Sequence, residues 1–472
     1  MEHASAIELA AAIRRKDLSP SEALEASLDA IERYDAVLNA IIWLDEDDAR
    51  ARARAADDRI ANEPSDDLPP FLGVPIPVKD LYDVEGWPNT LGSEGASADP
   101  RPETALPVQR MVDAGFVLCG RSNSPEFGSI TATENERYGV TRNPWDTDRS
   151  PGGSSGGASA AVASGIFTIA HASDGGGSIR IPSTCTGLVG LKSARGRVTD
   201  RVFSWEGASI QGVVTRTVAD TAAALDIMGP FDPLSWYNAP PPDRPFADEV
   251  GRDPGRLRIA STTQAAMSVP TDPECVAAVE RTVTALAEAG HEIVDAAFDA
   301  RIEEFATYFG DVVGAGLSAN PVDWDRVQRN NRATYDNAQA TSSLEYAAAV
   351  NALQRWTRAV NAQWGRDFDL LVTPTMVIQP PPAGQILEEI RSAPDQLSPT
   401  VLASILFTSM FNLNGLPAIS LPVHQATDTG LPIGAQLVGG PFDESGLLRV
   451  AAQVEGALPW HDRRPDVSAL AR

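Results

Sequence analysis

Lysine is nearly missing from this chain. Of 38 cationic residues only Lys16, Lys79 and Lys192 are lysines, so arginine carries almost all of the positive charge. Acidic residues outnumber basic ones, for a formal net charge of −26. That balance excludes nucleic acid and anionic membrane surfaces as partners, since both bind through cations. Histidine is scarce as well, and none of His3, His171, His291, His424 and His461 lies in a recognisable general-base motif. A hydrolase built on Ser–His–Asp is therefore disfavoured. The cysteines, Cys119, Cys185 and Cys275, are odd in number and irregularly spaced, which argues against both a disulfide framework and a metal site. No stretch approaches the roughly 18 apolar residues of a membrane helix, and the N-terminus lacks the basic start and apolar run of a signal peptide. The expectation is a cytoplasmic protein.

With 43% apolar residues in 472, a sizeable core is available. Residues 1–62 read as mainly helical. Ser19, Pro20 and Glu22 open one helix with an N-cap, a first-turn proline and an acid near the positive end of the helix dipole. From Leu72 onward, short β-branched runs ("GVPIPVKD", "FVLCG", "IFTIAHASD", "DLLVTPTM") alternate with helical ones ("ETALPVQRMVDAG", "GGASAAVASG", "VAAVERTVTALAEAG"). That alternation predicts an α/β fold with a large sheet covered by helices on both faces. Residues 221–270 are loop-rich, but the alternation continues on either side, so the chain reads as one domain, 1–472.

Two features demand a chemical account. The first is Lys79, which follows Val74, Pro75, Ile76 and Val78 in an apolar strand of a chain that otherwise avoids lysine. A free lysine titrates near ~10.4 and is charged at neutral pH, whereas burial penalises the ammonium and turns the amine into a base. An ordinary strand-end lysine paired with Asp80 accounts for it equally well, and the residues alone leave both readings open. The second is "HASDGGGSIRIPS", where Gly175, Gly176 and Gly177 precede Ser178. Three glycines cost backbone entropy, so they need a reason: a turn with positive φ, or backbone N–H groups laid bare beside a reactive hydroxyl. Gly152–Gly156 also matches the G-x-S-x-G elbow, a pattern too short in glycine-rich sequence to carry an assignment.

Taken in order, "GVPIPVKD", "SPGGSSGGASAAVASG" and "SDGGGSIRIPSTCTGLVGLKSARGRV" resemble the amidase signature family. The core of the match lies in residues 72–198, and "DLLVTPT" and "FNLNGLPAISLPV" extend it toward the C-terminus. The resemblance implies a Ser–Ser–Lys triad: Ser178 as nucleophile, Ser154 as the bridging serine after a cis peptide bond, and Lys79 as base. It further implies an oxyanion hole from the backbone of Gly175, Gly176, Gly177 and Ser178, with Ser155, Asp174 and Arg180 in supporting roles. Asn123, Glu126 and Lys192 are expected to be structural. Three positions depart from the family pattern: Gly175 replaces a common threonine, and Ser193 and Ala194 replace a common Pro-Thr.

The implied activity is hydrolysis of a non-peptide carboxamide through a Ser acyl-enzyme, with esters as easier substrates. The His171–Pro182 block and the tail "AAQVEGALPWHDRRP" tilt the likeness toward the branch that handles cyclic nylon oligomers and aryl acylamides. The alternative is the glutaminase subunit of a tRNA-dependent amidotransferase, whose usual "SSNLARYDG"-type segment is missing. No cofactor and no metal are expected. The partner is a small-molecule amide, and homodimers are common in the family. Tyr308, Phe309, Phe407 and Phe411 are candidate walls of the acyl pocket.

Overall fold

The computed structural model describes residues 5–471, which leaves His3 outside the described residues. The N-terminal segment is helical, as its pattern predicts, with helices Ala6–Arg14, Pro20–Leu38 and Glu46–Asn62. Ser19 and Glu22 close a reciprocal capping box at the second of them.

Strands are numbered in chain order. β1 (Ile41–Trp43), β2 (Pro75–Lys79) and β3 (Val117–Ser122) form a small sheet in the order β1-β3-β2. β2 contains Pro75 and Pro77, which cannot donate to a ladder on both sides, and it duly occupies an edge. A short ribbon, β4 (Glu134–Asn135) with β5 (Gly139–Val140), follows.

The large sheet contains β6 (Ile169–Asp174), β7 (Val189–Lys192), β8 (Ile210–Thr215), β9 (Arg258–Ser261), β10 (Glu292–Ile293), β11 (Leu370–Pro374), β12 (Ala418–Gln425) and β13 (Pro432–Val438). Its order is β10-β9-β11-β13-β12-β7-β8-β6, with parallel pairing at β10-β9-β11 and antiparallel pairing in the rest. Helices flank it, and among the described residues no helix is long and apolar enough to cross a membrane.

Three details differ from the sequence expectation. The strand carrying Lys79 belongs to the small sheet, not the large one, although β2 lies alongside β6. The loop-rich region starts later than residue 221, because a helix spans Val218–Met228 and begins with a Thr217 cap. The stretch "HEIVDA" after the helical run "VAAVERTVTALAEAG" fits the strand alternation, but it pairs only through the exposed edge residues Glu292–Ile293.

The site is built where the two sheets meet. β6 is the last strand of the large sheet and ends at Asp174; the glycines turn the chain into the buried helix Arg180–Thr186. The other serine segment ends in the helix Gly156–Ala163, made only of glycine, alanine, serine and valine, every residue of which is buried. Side chains that small let it approach β6 closely, and that brings residues 153–155 up to the end of β2.

Candidate active site

Lys79 is fully buried, and its Nζ is hydrogen-bonded to three hydroxyls: Ser154 Oγ at 2.8 Å, Ser155 Oγ at 2.8 Å and Ser173 Oγ at 3.1 Å. Burial lowers its pKa from 10.5 to about 7, opposed only in part by the charge of Asp174. Asp80 does not neutralise it; that carboxylate receives Thr90 and lies 3.9 Å from Arg121. Ser155 in turn donates to the carbonyl of Ser173 (3.1 Å), so its lone pairs are free to accept from the amine. Ser154 Oγ has Lys79 as its hydrogen-bond partner and lines a cavity that Ser178 also lines. The Gly153–Ser154 peptide bond is cis.

The glycine loop is held from beneath. Arg180 and Asp174, both fully buried, form a two-pronged pair at 2.9 and 2.8 Å. Burial by itself would raise the Asp174 pKa, but Arg180 and the hydrogen bond from Asn412 outweigh it and hold the carboxyl well below its usual range. Asp174 also accepts from the backbone N–H groups of Gly177 (2.7 Å), Ile179 (3.1 Å) and Arg180 (3.3 Å). This corrects one expectation: the Gly177 N–H is taken by Asp174 and is not free for an oxyanion. Gly177 is instead a conformational requirement, with φ of +130° and Thr408 Oγ1 2.4 Å from where a Cβ would sit. The N–H groups of Gly175, Gly176 and Ser178 meet no protein acceptor among the described residues. Replacing Arg180 with methionine strands a buried carboxylate, and we expect a loss of about 3–5 kcal/mol, read as a lower urea midpoint.

Residues far away in sequence complete the frame. Asn412 donates to the carbonyl and carboxylate of Asp174 (2.8 and 2.9 Å) and to the carbonyl of Ala208 (3.0 Å). Thr408 donates to the carbonyl of Gly176 at 2.7 Å. Sequence reasoning missed both; Asn412 lies in "FNLNGLPAISLPV", which resembles the family, and Thr408 lies just before that segment. Asn123 and Glu126 tie loops together, Asn123 through Thr141 and Asn135, Glu126 through Ser93 and Asn331. Lys192 donates to the carbonyl of Ser193 at 2.9 Å and takes no part in the cavity. His171 is a structural imidazole: Nδ1 accepts from the Lys79 N–H, Nε2 bonds Gln211 at 2.9 Å, and burial lowers its pKa to about 3.

The cavity at the two serines holds about 230 Å³. Leu81, Tyr82, Leu91, Phe127 and Trp205 supply its larger walls, and among the described residues no charged side chain lines it. Charge begins in an adjoining cavity that shares Leu81, Tyr82 and Leu91 and contains Asp83, Arg101 and Asp200. The aromatic walls expected from sequence are not there: Phe407 and Phe411 are core residues, and Tyr308 and Phe309 pack against the apolar cluster around Phe305 and Trp356.

The family model described as Amidase matches residues 22–448. The 6-aminohexanoate-cyclic-dimer hydrolase of Paenarthrobacter ureafaciens is 35% identical over 96% of this chain and 95% of its own. The solved structure of a 6-aminohexanoate cyclic dimer hydrolase complexed with substrate superposes with a TM-score of 0.91 at 34% identity, covering 99% of each chain. A bacterial aryl acylamidase of the amidase signature family superposes with a TM-score of 0.86 at 26% identity, covering 97% of each.

Proposed function

The chain belongs to the amidase family, and on that premise we propose that it hydrolyses a small uncharged carboxamide, cyclic or aryl, through an acyl-enzyme on Ser178. The observation that carries this reading is the 2.8 Å hydrogen bond between the buried Lys79 amine and Ser154, in the wall of a cavity that Ser178 shares.

A neutral Lys79 has two N–H donors, which suit Ser155 and Ser173, and one lone pair, which suits the Ser154 hydroxyl. Ser154 gives its proton to the amine and takes one from Ser178, whose Oγ attacks the carbonyl carbon. The oxyanion that forms is met by the free N–H groups of Gly175, Gly176 and Ser178, donors of a kind worth about 3–4 kcal/mol of barrier each. As the tetrahedral species collapses, the proton returns through Ser154 to the leaving nitrogen, the C–N bond breaks and the amine departs. Water then attacks the Ser178 ester by the same relay and releases the acid. Esters follow the same course with a better leaving group.

An uncharged compartment supports a neutral amide over glutamine. In glutamine the ammonium and carboxylate lie two methylenes from the scissile carbonyl, at a depth where the cavity offers no counter-charge. The test is a panel of cyclic amides, anilides, short aliphatic amides, their esters and glutamine, followed by mass spectrometry of the products. Cleavage of the neutral amides without added protein or tRNA is expected; ammonia from glutamine alone, and only with a partner present, overturns the proposal.

A further inference from the structure

Gly175 departs from the threonine common in the family, and the structure accounts for the space this frees. A Cβ built on Gly175 would lie 2.6 Å from Cζ3 of Trp205. A Cβ built on Gly316, on the helix Ile302–Ser318, would lie 2.1 Å from Cδ1 of the same indole. Trp205 thus fills a slot that two side chains have vacated, and it lines the cavity of Ser154 and Ser178.

The turn bearing it is braced. Trp205 and Glu206 both adopt left-handed backbone angles, with φ of +54°, a conformation that bulky residues hold only when their surroundings impose it. Glu206 accepts from the Tyr346 hydroxyl at 2.6 Å. The carbonyl of Ala208 accepts from Asn412, the residue that also holds Asp174. One amide side chain therefore couples the position of the indole to that of the glycine loop.

We propose that Trp205 is the specificity-determining wall of this amidase, selecting acyl groups that are slim, unbranched hydrocarbon at the carbon next to the scissile carbonyl. The inference rests on the Ser178 reading above and adds the substrate class. A rigid indole beside Gly175 leaves room for a methylene chain but meets a second branch at that carbon, and steric selection in apolar pockets reaches 10–200-fold.

The test uses two isomeric anilides, hexanoyl and 2-ethylbutanoyl, with kcat/KM measured on the full chain. The wild type should favour the unbranched isomer, and Trp205→Ala should move the ratio at least ~10-fold toward the branched one. Gly316→Ala should cut hexanoyl turnover at least ~10-fold by forcing the indole into the cavity, and that loss should disappear when Gly316→Ala is added to Trp205→Ala. Should Trp205→Ala not fold, judged by circular dichroism, Trp205→Phe should move the ratio the same way by about 3-fold. A ratio that stays within 2-fold in the folded variant, or a Gly316→Ala loss that persists without the indole, overturns the proposal. Ser178→Ala run beside them separates the two claims. If it still cleaves the anilides, or if the wild type cleaves neither, the nucleophile reading falls; if it is dead and the ratio is unmoved, only the role of Trp205 falls.

Discussion

We expect Ser178→Ala to lower kcat/KM for any amide that the wild type cleaves by at least ~10⁴-fold, while the protein stays folded. The size follows from the proposed mechanism, in which no acyl-enzyme forms without Oγ and the N–H groups of Gly175, Gly176 and Ser178 would retain only what oxyanion donors supply without a nucleophile. The stability follows from the surroundings. Ser178 holds the loop through its backbone, with its carbonyl accepting from the Ser155 N–H at 3.2 Å, and its side chain faces the cavity. Loss of that oxygen should therefore move the unfolding free energy by no more than about 0.5 kcal/mol. Steady-state kinetics beside a thermal melt checks both halves. More than about 1% residual amide turnover in a pure, folded Ser178→Ala protein would mean that another residue attacks the carbonyl. Trapping gives an independent readout: an organophosphate or sulfonyl fluoride should add to the tryptic peptide containing Ser178 and not to that containing Ser154.

The parts of the site that were legible in sequence are those written in short local stretches. Lys79 stood out because lysine is so rare, and the paired serines and the glycine run each occupy one loop between elements. The alternation of strands and helices was legible too, since both periods are local. What was not legible depends on distant contacts. Nothing near Trp205 in sequence says that its indole will rest against Gly175 and Gly316, and nothing near Asn412 says that it will reach Asp174, 238 residues away. The aromatic walls failed for a related reason. Phe407 and Phe411 are apolar in a region that resembles the family, but hydrophobicity reports burial without saying whether the buried face meets core or cavity. The separate small sheet was hidden because β2 reads as an ordinary strand; only its two prolines hinted at an edge. Gly177 is the most instructive case. Sequence treats its N–H as a free donor, and only the fold reveals that Asp174 has claimed it.

Lys79→Ala separates amides from esters, and Lys79→Met reports the charge state of the amine through stability. An amide nitrogen leaves only when protonated, so the loss of Lys79 should lower kcat/KM for an anilide by about 10⁴-fold, at the upper end of general acid–base contributions. A nitrophenyl ester, whose leaving group needs no proton, should lose about 10²-fold. In the wild type, amide hydrolysis should climb with pH through about 7, where the buried amine gives up its proton, and then level off. The same shift makes a thermodynamic claim. In the unfolded chain Lys79 keeps its proton up to its ordinary value of 10.5, whereas in the fold it loses it at about 7. Between those values the unfolded state binds more protons, so wild-type stability rises with pH across the window. Below pH 7 both states carry the charge and the fold bears the whole cost of burying it, about 5 kcal/mol. Lys79→Met removes the titrating group, although it leaves the Ser154, Ser155 and Ser173 hydroxyls without their shared partner. Urea unfolding at pH 6 and at pH 10 should thus show the wild type gaining several kcal/mol relative to Lys79→Met on going to the higher pH. A difference that does not change with pH would mean that the amine stays charged in the fold, and an ammonium has no lone pair with which to take the proton of Ser154.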